Sequence, residues 1–175
     1  MPCTLHTPTA ILNAVLSCVQ TALADTEHGG LGIPSTVALG AEGAGDAYSC
    51  CTDGLLTIES GTLEPRDPDR TGVSSTPCDT VWILPVTIGV RRCVETFDKI
   101  GGATDGSPVD PDVRTAAALA IAGEAWLLLQ TLVCCRRESW RTCGVVINNV
   151  NMIPPSGMCF GHDTRLTFEL TPCCP

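Results

Sequence analysis

The sequence predicts a single α+β domain, and three observations lead to this fold class. Two segments carry apolar residues at helical spacing, other segments have the alternation or β-branched content of strands, and their order is helix, strands, long helix, strands. Neighbouring strands are close enough in sequence to pair antiparallel. We therefore expect a mixed or antiparallel sheet packed against two main helices. A chain of 175 residues with 44% hydrophobic residues can bury one core, so residues 1–175 are expected to form one domain.

The first helix is predicted from Thr7-Pro8 to about Ala24. Threonine can cap the free N–H groups of a helix start, and proline costs nothing in the first turn, where its missing donor has no partner anyway. The apolar residues recur at three- and four-residue steps and form one stripe: Ile11, Leu12, Val15, Leu16, Val19 and Leu23. We expect Ile11, Val15 and Val19 to lie in the core.

This N-terminal segment is not expected to be a secretion signal. No Lys or Arg precedes it, and polar residues interrupt its apolar run, although Ala22-Leu23-Ala24 superficially resembles a cleavage site. No apolar run is expected to reach the roughly 18 residues that a membrane span requires. We therefore expect no membrane partner.

The middle of the chain is expected to supply strands and two long loops. Residues 27–45 are rich in glycine and are predicted to form a loop with one short strand at 35–39. Strands at 54–63 and 80–94 should form a hairpin whose tip, residues 64–79, begins with a stretch rich in proline and charge. Pro85 cannot donate to a sheet ladder, so the second strand should be bulged or at an edge there.

The second helix is predicted from Asp110-Pro111 to about Cys135, with Arg136 and Arg137 closing it. Its residues Ala117, Ile121, Trp126 and Leu128 are expected to cover the sheet. Two further strands are predicted at 143–153 and 164–171, and the last alternates apolar and polar residues with a period of two.

The charge balance argues against sequence-specific nucleic-acid binding. Nineteen acidic and ten basic side chains give a net charge of -9, and no basic cluster exceeds a dipeptide. Phosphate contacts need a stripe of Lys and Arg, whereas an acidic surface can face DNA without holding it.

Motifs of catalysis, cofactor binding and metal binding are not found. There is no phosphate-binding loop, nucleophile elbow or H-E-x-x-H motif, and the glycines near 29–32 and 40–45 have the wrong spacing for a dinucleotide. They are expected to lie in mobile or partner-ordered loops. His162-Asp163 could orient a base for Ser156 or Cys159, but a turn satisfied by Asp163 and Gly161 is the simpler interpretation. We therefore predict no catalytic residue, no cofactor and no metal site.

Twelve cysteines are the unusual feature of the composition. None are spaced as C-x-x-C, so zinc could be held only by ligands from scattered positions. The cysteines are either small buried hydrophobes of a reduced core or partners in disulfides, and we favour some disulfides. Members of an adjacent pair point in different directions and should have different neighbours. The candidate disulfide cysteines, whose pairing the sequence does not give, are Cys50, Cys51, Cys78, Cys93, Cys134, Cys135, Cys143, Cys159, Cys173 and Cys174.

The order of elements resembles the tail terminator proteins of long-tailed bacteriophages, and in particular the cysteine-rich versions in phages of actinobacteria. The resemblance covers nearly the whole chain. It rests on the opening helix at 11–15, the stretches 50–58 and 90–94, the long helix ending in Cys134-Cys135, and the closing strand preceded by residues 160–163.

What the resemblance implies is a structural protein of the virion neck and tail, assembled in the host bacterial cytoplasm. Such a protein forms a homo-hexameric ring at the head-proximal end of the tail. It stops polymerisation of the tail-tube protein, meets the head-connector or stopper proteins, and lets genomic DNA pass through its lumen without specific binding. The family pattern contains no active-site residues. The long loops at 27–45 and 64–79 exceed its expected compact core, and residues 64–70 are expected to reach neighbouring subunits.

Three alternatives remain open from the sequence. The first is another neck or tail-completion protein of the virion, which would meet different partners. The second is a secreted, disulfide-rich binding domain, and the third is a hydrolase that uses His162.

Overall fold

The computed structural model describes residues 7–41, 54–66, 81–93, 111–141, 143–156 and 159–170. These residues include two helices and six strands, in an α+β arrangement that agrees with the predicted fold class. The elements, in chain order, are α1 (Pro8–Ala24), β1 (Thr36–Ala41), β2 (Leu55–Ser60), β3 (Glu64–Pro65), β4 (Trp82–Cys93), α2 (Pro111–Glu138), β5 (Gly144–Ser156) and β6 (Cys159–Leu170).

The sheet is mixed, and its strands run in the order β1-β2-β4-β6-β5, with β3 paired to β4. All neighbouring pairs are antiparallel except β1 and β2, which are parallel. Strands β1 and β5 therefore form the two edges of the described sheet. The predicted hairpin is present as the antiparallel pair of β2 and β4.

Both helices lie on one face of the sheet, where the core is buried. Ile11, Val15 and Val19 of α1 are fully enclosed, as predicted, and pack in one cluster with Leu128 of α2 and Phe168 of β6. Thr7 caps α1 by accepting a hydrogen bond from the Ala10 N–H at 3.1 Å.

The prediction that Trp126 covers the sheet is wrong, because its side chain is 61% exposed. Successive residues of a helix are about 100° apart, so Trp126 and Leu128 point in nearly opposite directions and cannot both face the sheet. Leu128 is the buried member of the pair. Ile121 is buried as well, and Ala117 is half-buried.

The prediction that β4 is bulged or at an edge at Pro85 is confirmed on one side of the strand, where the pairing stops between Ser60–Val86 of β2 and Glu64–Ile83 of β3. β4 lies between β2 and β6, and its pairing with β6 runs from Trp82 to Cys93 without a shift in register. The Pro85 carbonyl accepts from the Gly61 N–H at 2.9 Å. Since a residue's N–H and C=O point to the same side in an antiparallel strand, the missing donor of Pro85 faces the gap between β2 and β3. No ladder bond to β6 is lost.

Two element boundaries differ from the prediction in ways that matter for the site. β6 begins at Cys159, five residues before the predicted start, so His162 and Asp163 lie inside a strand rather than in a turn. β5 extends through Pro154 and Pro155, which an edge strand tolerates, and its register with β6 shifts there.

Helix α2 is apolar enough to cross a membrane by length and composition, contrary to the expectation that no segment is. Within Thr115–Glu138 an 18-residue window has a mean hydropathy of 1.7, and 33% of that window is buried. The buried part packs against the sheet and carries Glu124, which is ion-paired. Core helices of soluble proteins have the same length and composition.

Candidate functional site: a buried ion-pair network beside the sheet edge

A buried ion-pair network joins α2, β4, β6 and the segment that leads into β1. Its centre is Glu124, a carboxylate with no exposed surface in a helix that is otherwise uncharged from Thr115 to Cys135. Charged side chains are almost never fully buried unless they are paired. Glu124 is therefore the residue around which this site is organised.

Arg92 of β4 supplies the opposite charge. Its Nε donates to Glu124 Oε1 at 3.2 Å, and its Nη2 pairs with Glu124 Oε2. The same Nη2 donates to the carbonyl of Gly32 at 2.6 Å. A second bond ties the same segment to α2, because the Leu31 N–H donates to Glu124 Oε2 at 3.2 Å.

The network thus fixes the residues just before the edge strand β1. The segment is also held from α1, since the Gly32 N–H donates to the Leu23 carbonyl and the Gly30 N–H to the Asp25 carbonyl, both at 2.9 Å. A side chain at Gly30 would place Cβ within 2.8 Å of three backbone oxygens. Gly30, expected in a mobile or partner-ordered loop, instead permits close packing within the chain, whereas Gly29 and Gly32 adopt the positive φ angles that favour glycine.

His162 completes the network from β6 and is also fully buried. Its Nε2 lies 3.6 Å from Glu124 Oε1, which is within ion-pair distance but longer than a hydrogen bond. The neighbouring Thr164 is buried on the same face, and no described residue hydrogen-bonds its Oγ1 or either ring nitrogen of His162. In this conformation His162 has no exposed surface from which to act on a substrate.

The pKa of Glu124 is below its ordinary value. Burial acts to raise this pKa, but the interactions with His162 and Arg92 outweigh burial and hold the carboxylate in its charged form. The Glu124 carboxylate is therefore charged at neutral pH, next to an Arg92 side chain that is 13% exposed.

On the opposite face of the sheet, Arg91 and Asp163 form a second pair, whose side chains are 28% and 24% exposed. Arg91 Nη1 lies 2.8 Å from Asp163 Oδ1 and also donates to the His162 carbonyl at 3.3 Å. In register, Arg91 is opposite Gly161 and Asp163 is opposite Gly89. A Cβ at Gly161 would lie 2.1 Å from the Val90 carbonyl oxygen and 2.9 Å from Arg91 Cδ. The glycine therefore makes room for the Arg91 side chain.

Three of the candidate cysteines have a defined state: two are disulfide-bonded and one is a free thiol. Cys135 forms a disulfide with Cys18, a residue outside the predicted set, and this bond joins α2 to α1 across 117 residues. Cys143 is disulfide-bonded, whereas Cys134, also in the predicted set, has a free and exposed thiol. Adjacent helical residues point about 100° apart, so Cys135 reaches α1 while Cys134 faces away.

Of the other candidates, Cys93 and Cys159 are backbone partners in the register of β4 and β6. The remaining candidates lie outside the described residues: Cys50, Cys51, Cys78, Cys173 and Cys174. Among the described residues no group of His, Cys, Asp and Glu is placed to hold a metal ion.

An open cleft of about 380 Å³ at the end of α2 is lined by Arg136, Arg137 and Arg141. Glu169 also lines it and pairs with Arg66 at 3.0 Å. Three arginines close together in a chain of net charge -9 make this a local positive surface. It suits a carboxylate or another small anion.

The sequence did not single out Glu124 or Arg92 as partners. The only available signal was one carboxylate inside an apolar helix, and nothing in the sequence indicated which strand would approach it. A scan of protein-family models and a search of curated proteins found no match to this chain.

Proposed function

We propose that this protein is a structural component of a phage virion that forms a ring at the head-proximal end of the tail, ends tail-tube polymerisation and joins the tail to the head connector. The resemblance of the sequence to tail terminator proteins is the reason for proposing this particular ring. The observation that supports assembly into a ring is that both edge strands of the sheet, β1 and β5, have no further strand beside them in the described part of the chain.

The two edges are suited to contact between copies. β1 carries the partly exposed Val37 and Leu39, and β5 carries Val146 and Met152, which are 47% and 48% exposed. An exposed strand with apolar side chains is a template for pairing with another chain. Because β1 and β5 lie at opposite ends of one sheet, pairing β1 of one copy with β5 of the next is a head-to-tail contact. Such contacts close into a ring when the rotation between copies permits it.

The buried network supports this assembly by shaping one edge. Glu124 and Arg92 hold residues 31 and 32, five and four residues before β1 begins, so the edge strand is presented in a fixed position. A pre-organised edge loses less conformational entropy when it pairs than a loose one. The net negative charge of the chain suits a lumen through which DNA slides without binding.

The direct test is the mass of the purified protein by light scattering, together with averaged electron micrographs, with and without tail-tube protein. A ring of about six subunits that caps tube ends supports the proposal. A stable monomer that ignores tubes contradicts it.

A second candidate is a secreted, disulfide-stabilised binding domain. The observation that favours it is the Cys18–Cys135 disulfide, since such bonds persist in oxidising compartments. Virion proteins also meet oxidising surroundings after release, so the disulfide is compatible with both functions. Mass spectrometry of the mature N-terminus separates them, because a secreted protein would have lost its leader.

A further inference from the structure

The outer face of α2 is a long uncharged stripe with an acidic residue at one end and a basic residue at the other. Leu119, Trp126 and Val133 stand along it at intervals of seven residues and are 69%, 61% and 39% exposed. Seven residues are two turns, so the three side chains lie on one line. No charged residue falls between Thr115 and Cys135 on this face, because Glu124 points inward.

We propose that this stripe binds a second copy of the chain, with the two α2 helices antiparallel and centred on Trp126. The proposal is independent of the ring, whose contact uses the sheet edges. It would stand if the ring were disproved.

The positions along the stripe are self-complementary in this orientation. Leu119 and Val133 are equally far from Trp126, so an antiparallel pair places Leu119 of each copy against the partner's Val133. Beside Trp126, the exposed residues Ala122 and Gly123 are small, and a Cβ at Gly123 would meet nothing within 4 Å. This gap can receive the indole of the other copy, as a bulky side chain fills a hole between small ones.

Charge at the two ends selects the orientation. Asp112, in the first turn of α2, and Arg137, in the last, are both exposed and lie within about 20° of the line through Leu119. An antiparallel pair brings Asp112 of each copy within about one turn of the partner's Arg137, whereas a parallel pair would bring like charges together. The partner's carboxylate would lie beside the arginine-lined cleft at the end of α2.

The size of the stripe sets the strength of the contact. From Asp112 to Arg137 the helix is about 39 Å long, and a helix contact about 10 Å wide covers on the order of 400 Å² per copy. Standard interfaces cover roughly 800 Å² per partner. We therefore expect a reversible, concentration-dependent dimer rather than a permanent one.

The first test is sedimentation of the full chain over a range of concentrations, with Leu39→Lys in every sample to block the sheet edge. Trp126→Glu should abolish the dimer without changing the circular dichroism spectrum. The matched control Leu63→Glu, at another exposed apolar residue, should leave the dimer intact. A protein that stays monomeric at all concentrations, or a Trp126→Glu variant that dimerises as before, would overturn the proposal.

The second test fixes the orientation through the free thiol of Cys134. In the antiparallel pair the two Cys134 residues are about 24 Å apart along the axis, while Ala116 lies beside the partner's Cys134. Mild oxidation of Ala116→Cys should therefore give a crosslinked dimer that is lost when Cys134→Ala is added. The control Ala118→Cys, on the other flank of the helix, should not crosslink. A Cys134–Cys134 crosslink in the unsubstituted protein would show a parallel pair and overturn the proposal.

Exchanging the charges at the two ends of the stripe tests the orientation by loss and recovery of the dimer. Asp112→Arg or Arg137→Asp alone should weaken the dimer about fivefold, and the double exchange should restore it. Equal weakening by the single and double variants would contradict the antiparallel arrangement.

Discussion

Glu124 on α2 and Arg92 on β4 form a buried ion pair that also holds the backbone at residues 31 and 32. The pair connects the centre of the long helix to the start of the edge strand β1. Because β1 is one of the two edges proposed to join neighbouring copies, a core interaction and an assembly surface depend on the same two side chains.

Replacing Glu124 with Gln is expected to lower the free energy of unfolding by about 3 kcal/mol. The amide keeps the shape of the side chain but leaves the Arg92 charge without compensation. Urea unfolding measures the change, and Glu138→Gln, at an exposed residue of the same helix, should change stability by less than about 0.5 kcal/mol. A loss as small as that of the control would show that the pair contributes little.

The pair should also make stability depend on pH on the acid side. The folded-state pKa of Glu124 is lowered from 4.5, so the unfolded chain takes up this proton first as pH falls. The contribution of Glu124 to the free energy of unfolding is therefore complete at a pH well above 4.5, and it is lost as the pH falls through the folded-state pKa. The stability difference between the wild type and Glu124→Gln should shrink on acidification. Asp25, whose pKa is lowered by its hydrogen bond with His28, titrates in both proteins and cancels.

Removing the Cys18–Cys135 disulfide by replacing both cysteines with Ala should cost about 2–4 kcal/mol. The bond joins the two helices and closes a long loop, so its loss raises the conformational entropy of the unfolded chain and thereby lowers stability. Denaturant unfolding under non-reducing conditions measures this cost. Cys134→Ala, next to the bond but with a free thiol, is the control and should be nearly neutral.

The fold class and the main elements could be predicted from the sequence because helical spacing and alternation report local burial. The order of strands could not, since it depends on contacts between distant segments. His162 illustrates the limit: its neighbours Gly161 and Asp163 are common in turns, but pairing with β4 draws them into a strand. Trp126 illustrates a second limit: it was predicted to cover the sheet but is exposed, because hydrophobicity alone does not reveal which side of an apolar helix meets the sheet.

The two sides of α2 can be compared directly by substitution. Leu128→Ala should cost about 2–5 kcal/mol, because it opens a cavity in the core. Trp126→Ala should cost less than about 1 kcal/mol, because most of its surface is exposed. Thermal or urea unfolding of both variants, measured at the same low protein concentration, checks the assignment. Equal losses would mean that Trp126 is covered within the chain.

The proposed ring is tested most directly by mixing two variants with opposite edges blocked, Leu39→Lys on β1 and Val146→Lys on β5. Both carry Trp126→Glu so that the helices cannot pair. Each variant alone should fail to form rings under conditions in which Trp126→Glu alone forms them. Their mixture should give a one-to-one heterodimer by light scattering, because the intact β1 of one can pair with the intact β5 of the other. Rings from either blocked variant, or a mixture that stays monomeric, would contradict assembly through the sheet edges.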